Sequence, residues 1–509
     1  MSSSNQIKIA AGLSYTTIVF NIIAGLIYTP WMVRQIGKSD YGLYVLATSL
    51  LTFFAIDFGL GGAIARYLTK YRADKEDHKV NQLLGITTKL YLIINLAALL
   101  ALVIFFFLIE NTFKELNPLE IEKFKVIYCI AGFFSIISFS FMPLNGIFMA
   151  YERFVALKLF DIISKIGIII LMVIALFLGY KLYALVAINA FIGIIIILFK
   201  LLYIGKTTNI KIDFNYKSKE LSKQILGFSV WVSVIGIAER LMLNIAPTLL
   251  AIYSGTAAIA VFSIGIIMNG YVWTFANALN GLFMPKVAGL ISTSDNRDEV
   301  TNLMVRVGRI QLFMVGVLFI GIITLGKEFI MLWMGTDFAN SYPIVLLLIL
   351  PGFITLTQEI ALTLMYVENE IKYKAILYIS SSIVSVLISL FLIPKFGALG
   401  AAIGIFIALI IFQVIGMNIV YYRIMKINVF YFFKECFLKM SFPLLLSLGF
   451  GFFINSYFPA ANFLIFLPKA FLVGGVYFGM MWLLGLNESE KELISNLVKK
   501  GFAFIKASL

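Results

Sequence analysis

Long apolar segments follow one another along almost the whole chain, and each is long enough to cross a lipid bilayer. A helix needs roughly 20 apolar residues to span the hydrocarbon core. Continuous segments of this length predict helices, because a membrane barrel would show short alternating strands instead. The pattern predicts fourteen transmembrane spans, at about 9–31, 42–64, 83–109, 126–149, 159–179, 182–204, 225–251, 257–283, 308–334, 343–366, 373–393, 397–422, 436–456 and 461–485.

The composition indicates an all-α polytopic membrane protein. Of the 509 residues, 61% are hydrophobic and 13% are charged, and the mean hydropathy is +0.98. Soluble domains carry about 25% charged residues. Two cysteines and one histidine predict neither a disulfide framework nor a metal site. The sequence contains no GxxxxGK[ST] loop, so ATP is not expected to be the direct energy source, and no cofactor is expected.

The net charge of +14 is explained by topology and does not require nucleic acid as a partner. With the N-terminus placed inside, the inner segments carry 28 Lys and Arg residues and the outer loops carry 8. Basic residues concentrate in cytoplasmic loops. Both termini are therefore predicted to be cytoplasmic, and the basic excess is expected to contact lipid headgroups.

This topology predicts the outcome of reporter fusions. A reporter that is active only outside the cytoplasm should be silent when fused at Thr208 and active when fused at Glu115. The measurement is reporter activity per unit of membrane-inserted fusion protein. Activity at Thr208, or silence at Glu115, would contradict the topology.

The seventh span places charge in the middle of the bilayer, at Glu239 and Arg240. An ionisable side chain there costs several kcal/mol unless it faces a polar cavity or a partner. Polar or small residues recur at helical steps of three and four on one face: Ser229, Ser233, Gly236, Arg240, Asn244 and Pro247. We interpret this face as the lining of a wet cavity, where Arg240 and Asn244 would contact a substrate. The alternative is an Arg–Glu contact that only joins two helices.

The first two spans carry further candidate site residues. Asn21 lies on a polar face of span one, and Arg34 lies just outside that span. Arg66, at the inner end of span two, is as well explained by a snorkelling anchor at the membrane interface as by a cavity residue. Asp57, within span two, and Glu239 are candidates for coupling to a proton or cation, since burial moves the titration of a carboxylate toward neutral pH.

Span eight combines amides with an indole. The four residues recur at steps of four, four and three: Asn269, Trp273, Asn277 and Asn280. Amides donate and accept hydrogen bonds, and an indole can stack on a pyranose ring, so this face suits a sugar. Interhelical amide hydrogen bonds around a core tryptophan explain the pattern equally well.

The chain contains an internal repeat. After a shift of 216 residues, Glu152 meets Glu368 and Lys158 meets Lys374; after 217, Pro30 meets Pro247, each expected to close the first span of its half. Six spans in each half give both halves the same orientation, which predicts a pseudo-two-fold axis along the membrane normal with a substrate site between the halves. The predicted domains are two six-helix lobes, 1–206 and 207–423, and two additional, lipid-facing spans with a cytoplasmic tail, 424–509.

Three stretches carry a resemblance to a known superfamily: TPWMVRQIGKSDYGLYVLATSLLTFFAIDFGLGGAIARYLTKYRA, GIFMAYERF and AERLMLNIAPTLLAIYSG. The chain resembles the multidrug/oligosaccharidyl-lipid/polysaccharide exporter superfamily, and within it the Wzx-type polysaccharide flippases of O-antigen and lipopolysaccharide synthesis. The resemblance implies a multi-pass protein of the bacterial cytoplasmic membrane. It would export an undecaprenyl-diphosphate-linked oligosaccharide by opening alternately inward and outward. The implied partners are membrane lipids, H⁺ or Na⁺, and other polysaccharide assembly proteins.

In this interpretation Arg240, assisted by Arg34 or Arg66, would offset the diphosphate charge. Two alternatives within the superfamily are a lipid II flippase and a multidrug/cation antiporter. A cation antiporter would be expected to have a predominantly acidic cavity. A different class, a membrane-embedded glycosyltransferase or polysaccharide polymerase, usually needs a sizeable extramembrane loop. The longest loops here, Gly205–Ser222 and Met284–Val307, are short, so the chain is predicted not to be an enzyme.

Overall fold

The computed structural model describes residues 3–54, 60–216, 218–293 and 297–495, and the regular structure within these ranges is helical. In this part of the chain, thirteen segments are long and apolar enough to cross a membrane. They correspond to thirteen of the fourteen predicted spans, and the all-α polytopic class is confirmed. The predicted span 42–64 includes residues 55–59, which lie outside the described ranges.

Contacts between residues divide the chain into two compact units. Unit 1 comprises Met1–Ser263 and Tyr378–Ile405, and unit 2 comprises Ile264–Leu377 and Phe406–Leu509. The predicted lobes 1–206 and 207–423 were drawn from the repeat and stay a prediction.

Twenty α-helices are described, ten of them within the first 293 residues. These are α1 Ser3–Ile36, α2 Lys38–Phe54, α3 Leu60–Ala73, α4 Asp77–Thr112, α5 Pro118–Ser140, α6 Pro143–Ala150, α7 Phe154–Phe177, α8 Leu182–Thr207, α9 Lys219–Tyr253 and α10 Gly255–Thr293. The rest are α11 Arg297–Met334, α12 Ser341–Ile349, α13 Gly352–Thr355, α14 Glu359–Val367, α15 Ile371–Phe396, α16 Ala398–Ala408, α17 Met417–Arg423, α18 Val429–Phe432, α19 Lys439–Tyr457 and α20 Phe463–Met480. Three π-helical segments continue helices of the second half: Leu409–Gly416, Phe433–Leu438 and Met481–Gly485.

Small residues allow close helix packing in unit 1. A Cβ atom added to Gly146 on α6 would lie 2.8 Å from the Gly61 carbonyl oxygen on α3, so these two backbones are in direct contact. A Cβ atom added to Gly42 on α2 would lie 2.2 Å from the Thr256 carbonyl oxygen on α10. Beside that contact, the Glu120 carboxylate on α5 accepts hydrogen bonds from the Ser39 and Thr256 hydroxyls, at 2.5 and 2.7 Å. These contacts hold the ends of α2, α5 and α10 together.

The two prolines do not end their helices, contrary to the prediction. Pro30 lies inside α1, which continues to Ile36, and Pro247 lies inside α9, which continues to Tyr253. A proline removes one backbone donor, and membrane helices tolerate it when neighbouring groups satisfy the freed carbonyl. Helix α1 ends instead at Gly37, whose φ of +86° lies in the left-handed region that glycine adopts at little cost.

Two matching turns are consistent with the internal repeat. Glu152, before α7, and Asn369, before α15, have φ values of +54° and +59°. Each turn is closed by a backbone hydrogen bond of 2.9 Å, from Arg153 N–H to the Phe148 carbonyl and from Glu370 N–H to the Met365 carbonyl. Equivalent residues of these turns are 217 positions apart, one more than the shift that aligned Glu152 with Glu368.

In unit 2, α11 packs against both C-terminal helices, α19 and α20. Lys469 Nζ on α20 donates to Glu328 Oε2 on α11 at 2.5 Å and to Asn455 Oδ1 on α19 at 2.8 Å. Lys469 is 6% exposed. The two spans predicted to be lipid-facing contain α19 and α20, and the buried Lys469 links both helices to α11 through its ion pair with Glu328.

Candidate functional site

Arg240 lies on α9 in unit 1 and reaches the backbone of α2. Its side chain is half-buried, and its Nη1 donates a hydrogen bond to the Thr52 carbonyl oxygen at 2.7 Å. A backbone carbonyl oxygen carries partial negative charge, so a guanidinium is a favourable partner for it. Neighbouring Glu239 is exposed, and no ion pair between the two is found among the described residues. Arg240 is therefore anchored to a backbone carbonyl, and the alternative of an Arg–Glu contact that joins two helices stays a prediction.

The polar face of α9 changes character along the helix. A Cβ atom added to Gly236 would meet no atom within 4 Å, so the face is open one turn before Arg240. Asn244 is half-buried and Pro247 is buried, where α9 packs against α2. Arg240 thus lies where an open stretch of the face passes into a packed stretch. The side chain of Ser229 lies outside the described residues.

The remaining described candidates of unit 1 lie on α1 and α3. Asn21 is half-buried on α1, while Arg34 at the end of α1 and Arg66 on α3 are both exposed. Asp57 falls within residues 55–59, outside the described ranges.

The amide pattern of span eight falls on the part of α10 that belongs to unit 2. Asn269 is 7% exposed, and its Oδ1 has no hydrogen-bond partner among the described protein atoms. An unsatisfied buried acceptor costs about 1–3 kcal/mol, so this oxygen is suited to accept a hydrogen bond from a water or a hydroxyl. Trp273 is half-buried and Asn277 is exposed, so the face opens toward the C-terminal end of the helix. The side chain of Asn280 lies outside the described residues.

In unit 2, the side-chain amides of Gln358 and Asn418 donate hydrogen bonds to each other, and the sequence patterns did not predict this pair. Gln358 Nε2 donates to Asn418 Oδ1 at 2.8 Å, and Asn418 Nδ2 donates to Gln358 Oε1 at 3.3 Å. The pair joins the chain before α14 to α17 and satisfies both amides inside a span. A buried glutamine in span ten was the available signal, but its partner 60 positions away could not be identified from spacing.

Residues 9–281 match the model of a protein family described as Polysaccharide biosynthesis protein. This match covers more than half of the chain, from α1 into α10, and includes Arg240. The chain belongs to this family. No protein with a curated description matches the sequence. Membership in the Polysaccharide biosynthesis protein family confirms the family-level resemblance found in the sequence, whereas the Wzx-type assignment within it stays a prediction.

Solved structures share the fold of this Polysaccharide biosynthesis protein. The lipid II flippase MurJ in an inward closed conformation is similar with a TM-score of 0.66 and 16% identity, over 97% of this chain and 99% of that one. An inward-facing multidrug resistance MATE family transporter of the MOP superfamily gives a TM-score of 0.65 and 14% identity, over 82% and 98%. A MOP superfamily transporter from Pyrococcus furiosus gives 0.55 and 15%, over 81% and 93%. At these identities the likeness establishes the fold.

Proposed function

We propose that this chain is a flippase of the bacterial cytoplasmic membrane. It would move an undecaprenyl-diphosphate-linked oligosaccharide from the inner to the outer leaflet by alternating access, coupled to H⁺ or Na⁺. The observation that carries the proposal is Arg240. It is a permanent cation in a membrane span, in the part of the chain that matches the Polysaccharide biosynthesis family, beside an open stretch of its helix.

A diphosphate needs a fixed positive charge along its path, because an unpaired anion in a low-dielectric passage would cost many kcal/mol. The planar guanidinium of Arg240 can donate two parallel hydrogen bonds to a phosphate, and the backbone anchor at Thr52 orients it. Arg34 and Arg66 would attract the diphosphate at the two membrane faces. Glu239 or Asp57 would carry the coupling ion.

The polar positions on α1, α9 and α10 would contact the sugar. Asn21 and Asn244 are half-buried, and the side-chain oxygen of Asn269 accepts no hydrogen bond from the described residues. Amides bind hydroxyls of many geometries, which suits an oligosaccharide better than a compact apolar drug. The proposed partners are thus the lipid-linked oligosaccharide and the surrounding lipids, with polysaccharide assembly proteins acting before and after transport.

The proposal is tested by deleting the gene in the cell of origin and restoring it on a plasmid. We expect deletion to abolish surface polysaccharide while a full-length lipid-linked oligosaccharide accumulates, and restoration to reverse both effects. The measurements are surface polysaccharide by immunoblot and lipid-linked oligosaccharide by mass spectrometry.

Other functions predict other outcomes of the same deletion. Loss of a glycosyltransferase would shorten the lipid-linked oligosaccharide, and loss of a polymerase would leave single repeat units on the surface. Loss of a lipid II flippase would stop cell-wall growth, and loss of an antiporter would raise drug sensitivity with normal polysaccharide. Any of these results would replace the proposed function.

A further inference from the structure

A cavity of about 580 Å³ lies at one end of unit 1. Its walls come from the end of α3, the start of α4, the turn before α7, and the end of α8 with the segment that follows it. The distribution of basic residues assigns all of these segments to the cytoplasmic side of the membrane. The predicted topology therefore places the cavity where the helices of unit 1 would leave the inner leaflet.

The cavity is positively charged. Arg72, Lys75 and Lys206 line it, together with one carboxylate, Asp77. Within the described part of the chain, none of the three cations forms an ion pair. Three cations around one concave surface focus positive potential on it. The site is therefore suited to an anion that the protein itself does not supply.

Arg72 is held in place before any ligand arrives. Its guanidinium carbon lies 3.9 Å from the centre of the Tyr151 ring, and its Nη1 donates to the Ala150 carbonyl oxygen. Burial raises the pKa of Tyr151 above its ordinary value, so the phenol stays neutral and does not repel an anion. A stacked and anchored guanidinium loses little side-chain entropy when it binds a further oxygen.

Asn81, on α4, adds a fixed polar group to the cavity wall. Asn81 Oδ1 accepts a hydrogen bond from Lys211 N–H at 2.9 Å, and the Asn81 carbonyl accepts one from Asp213 N–H at 3.2 Å. A Cβ atom added to Gly85 would lie only 1.9 Å from the Asp213 carbonyl oxygen, so glycine is needed where the segment crosses α4. The segment after α8 thus contributes to a preformed site.

We propose that this cavity binds the phosphoryl group of a membrane-lipid headgroup. Arginine with two lysines matches the charge and the acceptor geometry of a phosphate ester. The volume also accommodates a glycerol or sugar, whose hydroxyls Asp77 and Asn81 can bind. The lipid would be either an anionic phospholipid or a polyprenyl diphosphate carrier. The proposal does not rest on the transport function, since it concerns binding at this cavity whatever the protein moves.

The test compares two triple variants of the full-length protein in phosphatidylcholine nanodiscs. The cavity variant is Arg72→Gln with Lys75→Gln and Lys206→Gln. The matched control is Lys70→Gln with Lys223→Gln and Arg306→Gln, which removes the same charge from exposed positions on the same predicted membrane side. The probes are phosphatidylglycerol, undecaprenyl diphosphate and free pyrophosphate, and native mass spectrometry counts the bound molecules.

We expect the wild-type protein to bind at least one of the two lipids more tightly than it binds pyrophosphate. The cavity variant should lose this binding at least about tenfold, and the control should change by less than about twofold. Phosphatidylglycerol as the tighter probe identifies a phospholipid site, and undecaprenyl diphosphate a carrier site. Equal losses in both variants, no loss in the cavity variant, or binding of pyrophosphate alone would overturn the proposal.

A double variant distinguishes loss of the binding site from misfolding of the protein. Lys75→Gln with Lys206→Gln leaves Arg72 on its Tyr151 and Ala150 contacts, so the fold is not at risk. We expect it to lose binding about fivefold or more at an unchanged melting temperature. Wild-type affinity in this double variant would count against the proposal.

Discussion

Replacing Arg240 with Gln is expected to reduce surface polysaccharide at least about tenfold, because a hydrogen bond to a charged group contributes roughly 1.5–3 kcal/mol and the diphosphate would lose it. The amide keeps some hydrogen-bonding capacity but carries no charge. The measurement is surface polysaccharide in the deletion strain, with the membrane levels of all variants matched by blotting.

The loss of export should depend on which side chain replaces Arg240. Arg240→Lys keeps the charge and loses the planar fork, so partial export should remain. Arg240→Glu places an anion beside the passing diphosphate and should be at least as damaging as Arg240→Gln. Lys165→Gln removes an exposed cation from α7, another span of unit 1, and should leave export unchanged.

Because Arg240 donates a hydrogen bond to the Thr52 carbonyl, its role could be purely structural, and that role predicts a different experimental result. A structural role would lower the melting temperature of Arg240→Gln while export per folded molecule stays at the wild-type level. A role in pairing with Glu239 would be revealed if Glu239→Gln restored export to Arg240→Gln. Either result would remove Arg240 from the transport mechanism.

Replacing Arg309 with Met is expected to destabilise unit 2 by about 3–5 kcal/mol, because it leaves a buried carboxylate unpaired. Arg309 Nε donates to Glu490 Oε1 at 2.6 Å and its Nη2 to Glu490 Oε2 at 3.1 Å, with side chains only 7% and 1% exposed. The same guanidinium donates to the Gly485 carbonyl at 2.5 Å and to the Glu435 carbonyl at 2.7 Å. One residue on α11 thus holds two C-terminal segments.

The loss of stability in Arg309→Met can be measured through the reactivity of Cys436. Cys436 is fully buried in the segment whose Glu435 carbonyl Arg309 binds, so its reaction with a membrane-permeant maleimide reports opening of this region. In a Cys129→Ser background, Arg309→Met should accelerate labelling by about a hundredfold or more. Unchanged labelling would show that the ion pair does not hold the segment.

Two controls separate the buried pair from surface charge. Glu488→Gln breaks the exposed ion pair with Lys491, of 2.9 Å, and should cost at most about 1 kcal/mol. The double variant Arg309→Met with Glu490→Met removes both charges and should recover much of the lost stability, because replacing a whole buried pair by apolar groups is often neutral.

Features set by local pattern could be predicted from the sequence. Thirteen of the predicted spans correspond to described segments that are long and apolar enough to cross a membrane, because the length of an apolar segment is a local property of the sequence. The match of residues 9–281 confirms the family-level resemblance. The proline prediction was wrong because local propensity does not show whether neighbouring helices satisfy the carbonyl that a proline frees.

Features set by pairing between distant positions could not be predicted. The sequence singled out Arg240 as a mid-span cation, but its partner is a backbone carbonyl on another helix, and a carbonyl leaves no sequence signal. The ion pair of Arg309 with Glu490, the amide pair of Gln358 with Asn418 and the basic cavity all join residues far apart in the chain. The sequence by itself thus determined that the chain is helical and membrane-spanning, and which helix faces are polar, because hydrophobic length and periodicity are local properties. Only the tertiary structure decided which polar groups meet, because burial requires each of them to find a partner and packing alone selects it.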